Sequence, residues 1–188
     1  MRGWLSTVRA IGDRLMQYET VEIRIDESTI AADDQWKIIE PVWWSANIYE
    51  GPDQYEQSLL PFSRPQRFVF AVTWYRAEVN NGGHLQFYSN STGIVWKDAL
   101  EAFWTLDLPE HAMILAESAE RLGGSPSLDR DTREEQLEDI DPDFDDLDDR
   151  FYAAEKKGEL DTQILSFIRA HRSDFYFQGT IRRGLMNT

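Results

Sequence analysis

The apolar positions of this chain fall mostly at helical spacing. Trp4, Val8, Ile11 and Leu15 lie four, three and four residues apart, which predicts an amphipathic helix. Val21, Ile23 and Ile25 alternate with Glu22 and Arg24, the pattern of a short strand. Asp33 and Asp34 are N-cap residues for a helix carrying Trp36, Ile38 and Ile39, which Pro41 is expected to break or kink. Residues 51–65 are turn-rich, with one or two helical turns expected around 55–60. Phe68, Val69, Val72, Tyr75 and Val79 predict a helix over 66–80. Asn80, Asn81, Gly82 and Gly83 should stop it, because Asn and Gly tolerate the left-handed conformation of a C-cap. Further helices are expected at 94–106, ended before Pro109, and at 109–122, ended by Gly123 and Gly124. The last two fall at 142–157, stopped by Gly158, and at 160–172. The expected fold is mainly α: a single compact multi-helix domain with at most a short N-terminal strand or hairpin. Residues 1–30 read as an N-terminal extension, 31–180 as the helical domain and 181–188 as a tail.

Composition agrees with a folded chain. Hydrophobic residues make up 41% of 188 and aromatics 13%, enough apolar material for a core. Nineteen Lys and Arg oppose 34 Asp and Glu, a net charge of −15. Such a surface repels phosphate backbones and anionic membranes, so direct nucleic-acid or membrane binding is not expected. A basic protein is the electrostatically natural companion. The absence of cysteine excludes disulfides, zinc–thiolate sites and thiol nucleophiles. The longest strongly apolar run, residues 68–75, is far short of the ~20 residues of a membrane helix. Charges are scattered through the first residues with no continuous apolar segment, so no signal peptide is read there and a cytoplasmic location is expected.

The charge is unevenly distributed. Residues 129–149 hold twelve carboxylates: Asp129, Asp131, Glu134, Glu135, Glu138, Asp139, Asp141, Asp143, Asp145, Asp146, Asp148 and Asp149. Only Arg130 and Arg133 oppose them, leaving a local net of −10 and only −5 for the rest of the chain. Part of this is ordinary helix chemistry: Asp141 and Pro142 read as an N-cap followed by a first-turn proline, with acids complementing the dipole. Dipole complementation needs two or three acids, however, and the remainder repel one another. Leu137, Ile140, Phe144, Leu147 and Phe151 recur at spacings of 3, 4, 3 and 4, a stripe that can bury itself and hold the acids on ordered structure. If mostly helical, the segment spans ~30 Å with a carboxylate every ~2.5 Å of axis, against one DNA phosphate per ~1.7 Å. An EF-hand does not fit, since a loop opening at Asp141 puts Asp146 where Gly is required and Tyr152 where Glu is required. Opening it at Asp139 instead puts Phe144 and Arg150 there, and no metal site is expected.

Glu78, Asn80, Asn81, Gln86 and Asn90 lie among aromatic neighbours and are awkward to bury. A buried polar network bracing a helix–turn–helix corner, or a small binding pocket, would account for them. The run Glu-Val-Asn-Asn-Gly-Gly-x-x-Gln-Phe-Tyr-x-Asn-x-x-Gly over residues 78–93 resembles the signature of the bacterial DNA-mimic protein family. Gln66 and Arg67, Pro109 and Glu110, the Gly123-Gly124 stop and the run from Asp174 to Gly179 support the resemblance, which spans residues 33–179. It implies an acidic, largely helical cytoplasmic protein that imitates the charge of duplex DNA and occupies a helix-turn-helix transcription factor. On that resemblance Glu78, Asn80, Asn81, Gly82, Gly83, Gln86, Asn90 and Gly93 are structural motif residues. Mimicry would belong to the surface carboxylates, and a homodimer would extend them toward the length of a palindromic operator.

No catalytic constellation is legible. His84, His111 and His171 lack ligand spacing, Gly82-Gly83 and Gly123-Gly124 lack a phosphate-loop pattern, and no G-x-S-x-G elbow exists. The expectation is a non-enzymatic binding protein without cofactor, whose partner is a basic DNA-binding protein. An immunity protein against a basic nuclease toxin, a ligand or enzymatic pocket around residues 78–90, and acids that serve solubility alone are the competing readings.

Overall fold

The computed structural model describes residues 18–184. The stripe Trp4–Leu15 lies outside the described residues. Strand β1 (Tyr18–Ile25) is followed by helices α1 (Glu27–Ala31), α2 (Gln35–Ser45), α3 (Pro52–Leu59) and α4 (Arg64–Ser89). A 3₁₀ turn (Ser91–Val95) leads into α5 (Trp96–Thr105), α6 (Pro109–Arg121), α7 (Arg130–Ile140), α8 (Asp145–Glu155) and α9 (Glu159–Ala170). A second 3₁₀ turn (Arg172–Phe175) precedes β2 (Phe177–Gly184). The fold is mainly α, as the periodicity requires.

Helix α4 is the axle of the molecule. Ser63 and Gln66 form a capping box at its start, each side chain bonding the other's backbone N–H at 3.2 and 2.9 Å. Its buried residues, among them Phe68, Val69, Phe70, Val72, Tyr75, Val79, Phe87 and Tyr88, face α2, α5, α7 and α8. Tyr75 sits edge-on to Phe87, Phe103 and Phe151 at 5.0–5.5 Å between centroids, which locks α4, α5 and α8 together.

Four local expectations need correction. Pro41 does not end its helix: α2 runs through it to Ser45, with Pro41 buried. The Asn-Asn-Gly-Gly run interrupts α4 without terminating it. Gly82 and Gly83 are non-helical, Gly83 at φ +71°, and the helix resumes through Ser89. Asp141 and Pro142 do not open a helix. Asp141, left-handed at φ +47°, closes α7, and α8 starts only after Phe144. Residues 129–149 are therefore two helices and not one rod. The stripe consequently buries Leu137, Phe144, Leu147 and Phe151 but leaves Ile140 44% exposed.

Phe177–Gly184, spanning the expected end of the helical domain and start of the tail, forms β2. It pairs antiparallel with β1, Tyr18 opposite Gly184 and Ile25 opposite Phe177. The hairpin-like sheet lies against α2, where Arg183 bridges Glu19 of β1 and Glu40 of α2.

Candidate protein-binding face

The two arginines within the acidic segment do little to neutralise it. Arg133 on α7 is fully buried and donates to four carbonyl oxygens: Tyr88 at 2.7 Å, Asn90 at 2.7 Å, Ser127 at 2.6 Å and Leu128 at 3.3 Å. Burial, with Arg130 nearby, pushes its guanidinium down to about 10, still protonated at neutral pH. Arg130 donates to the Ser89 carbonyl at 2.9 Å and pairs with Glu134. Both cations thus sit at the C-terminal end of α4, where the helix leaves its carbonyls unpaired and its dipole is negative. They fasten α7 to the core.

Helix α8 is fastened through Asp148. Its carboxylate accepts the His84 backbone N–H at 2.9 Å and contacts His84 Nδ1, while His84 Nε2 lies 2.7 Å from the Tyr75 hydroxyl. Asp148 is seated on the kink itself, where a Cβ at Gly83 would run into Oδ2. A second anchor lies deeper. Glu155 is bonded by Arg76 at 2.6 Å and His111 at 3.3 Å. Burial raises its carboxyl, but His111, Arg76 and Asn80 outweigh this and hold it below its ordinary range.

The twelve carboxylates divide accordingly. Asp129 caps α7 through the Thr132 N–H at 3.0 Å, which lowers its pKa. Asp143 accepts from Asp145 N at 3.0 Å. Asp146 pairs with Arg121, which holds it low, and Arg121 and Arg150 are both shared with Glu117. Glu134 and Asp148 are engaged as described. Asp131, Glu135, Glu138, Asp139, Asp141, Asp145 and Asp149 remain: all are exposed, and their side chains make no hydrogen bond or ion pair among the described residues.

The Asn-Asn-Gly-Gly region forms a polar network. Glu78, buried, accepts from Gln86 at 2.7 Å, Asn90 at 2.9 Å and Thr92 at 3.0 Å, tying α4 together across its own kink. Asn80 donates to the Arg76 carbonyl at 2.9 Å, whereas Asn81 is exposed. Gly93 makes room for Arg133, whose Nε would lie 2.6 Å from a Cβ there. Two prominent cavities, about 310 and 440 Å³, are lined by Ile48–Gly51 with Asp129–Asp131 and by Arg24–Glu27 with Tyr176–Gln178; neither is formed by residues 78–90. Among the described residues no cluster of His, Asp or Glu is placed to hold a metal ion, and no helix is long and apolar enough to cross a membrane.

The family model of DMP19-like proteins matches residues 61–171, more than half of the chain. The chain belongs to the DMP19-like family. This corrects the resemblance drawn above in both basis and extent: the match does not rest on a Glu-Val-Asn-Asn-Gly-Gly signature, and residues 33–60 and 172–179 fall outside it. The DMP19-like region runs from the foot of α4 to the end of α9, so it includes α7, α8 and every anchor just described. No curated protein and no solved structure matches the chain.

Proposed function

We propose that α7 and α8 present a binding face for a basic, DNA-binding protein, which they occupy in place of duplex DNA, and that the protein acts by sequestration and not by catalysis. A helix-turn-helix transcription factor is a partner of this kind. The observation that carries the reading is the set of seven exposed, uncompensated carboxylates on two helices whose own arginines and Asp148 are committed to the core. Each helix has eleven residues, so the acids are spread over two segments of ~16 Å. Membership of the DMP19-like family points the same way.

Lysine and arginine side chains arranged for phosphates can accept carboxylates instead, and such contacts weaken as salt rises. The test is affinity capture at low salt, elution at high salt and competition with duplex DNA. The wild-type protein should retain a basic DNA-binding protein that DNA displaces. The combined variant Glu135→Gln, Glu138→Gln, Asp145→Asn and Asp149→Asn should bind that protein at least about tenfold more weakly while melting no earlier. Unchanged affinity in this variant would end the proposal. Asp148 is kept intact, because its loss would unseat α8.

A further inference from the structure

The acidic face also carries exposed apolar side chains at its centre. Ile140, 44% exposed, follows Glu138 and Asp139 and precedes Asp141, and the left-handed turn at Asp141 is what keeps it out of the core that takes Leu137 and Phe144. Leu85, 55% exposed, lies on the turn of α4 bracketed by the two helices: the N–H of His84 before it goes to Asp148 of α8, and the carbonyl of Ser89 after it takes Arg130 of α7. Two aliphatic side chains held open to water among unpaired carboxylates have the layout of an interface, apolar at the middle and charged at the rim.

We propose that Leu85 and Ile140 are apolar anchors of this face, and that the partner presents an aliphatic side chain set among its lysines and arginines. Charge complementarity selects the basic surround, and the anchors add a contact that the phosphate rails of DNA do not offer. The inference rests on the binding reading above but differs from it in its consequence: part of the affinity should persist in salt.

Two helical peptides of equal length and charge serve as probes, one with a lysine face and a leucine face, the other with glutamine replacing each leucine. Dissociation constants are measured at low and high salt by fluorescence anisotropy. The leucine peptide should bind about tenfold tighter and stay bound at salt that strips the glutamine peptide. Leu85→Ser combined with Ile140→Ser should abolish that advantage, leave the glutamine peptide's affinity unchanged and melt as the wild type does. The four-amide variant should weaken both peptides alike. Equal affinity for the two peptides, or an advantage that survives the double serine variant, overturns the anchors while leaving the charge reading intact. Binding of neither peptide overturns both.

Discussion

A buried guanidinium with no carboxylate beside it must place its donors on carbonyl oxygens, and Arg133 does this with four of them. Lysine carries the same charge on a single nitrogen and cannot span Tyr88, Asn90, Ser127 and Leu128 together. Each stranded carbonyl costs about 1–3 kcal/mol, so Arg133→Lys should lose at least about 2 kcal/mol in urea unfolding at neutral pH. Glu78→Gln should lose about 1–3 kcal/mol by the same measurement, since an amide brings its own donors against those of Gln86, Asn90 and Thr92. The Glu78 network was partly legible in the sequence, because crowded amides among aromatics must pair with something. Arg133 was not. An arginine in an acidic run reads as a counterion, and nothing in its spacing tells that it is turned inward to the end of a helix forty residues earlier.

At the scale of elements, glycine positions separate strain from collision. Gly158 adopts φ +70° in open space, so Gly158→Ala should cost only about 1–2 kcal/mol, the left-handed penalty itself. Gly83 has nearly the same φ, but a Cβ there also displaces Asp148, so Gly83→Ala should cost clearly more, at least about 3 kcal/mol in urea unfolding. Equal losses in the two variants would mean that Asp148 moves aside freely and is not what seats α8. The boundaries of α5, α6 and α9 were readable because prolines and glycines punctuate them. The break between α7 and α8 was not, since the apolar stripe keeps its 3-4 rhythm straight across Asp141. The second strand was obscured by Gly179, Arg182, Arg183 and Gly184, which leave Ile181 as its one fully buried hydrophobic residue.

For the molecule as a whole, a net charge of −15 with seven unpaired acids on one side is self-repulsion that salt relieves. Raising salt from about 50 to about 500 mM should therefore raise Tm by scanning calorimetry, and should do so less in the four-amide variant. Acid acts through other groups. Glu155, Glu117 and Asp33 are all held below their ordinary range: Glu155 by His111 and Arg76 against burial, Glu117 by Arg150 and Arg121, Asp33 by Arg169. Carboxyls lowered in the folded state stabilise it above their unfolded pKa and lose that stabilisation as pH falls through the folded value. Tm at high salt should thus hold through neutral pH and fall below about pH 4. A rise there would mean that discharge of the free acids outweighs loss of the pairs. The mainly α class was readable at this scale, because it follows from summed periodicity, whereas the placing of individual acids depends on contacts between distant segments.

The pairing of β1 with β2 joins residues more than 150 positions apart, Tyr18 to Gly184. A growing polypeptide emerges from the ribosome one end first, so β1 waits without its partner while every helix of the described chain is made. The helices and their acidic face can pack while β1 still presents bare backbone, and closure of the sheet is then the last event of synthesis. A nascent chain stalled before Phe177 should already react with a conformational probe of α7 and α8, yet leave the backbone amides of β1 open to hydrogen exchange.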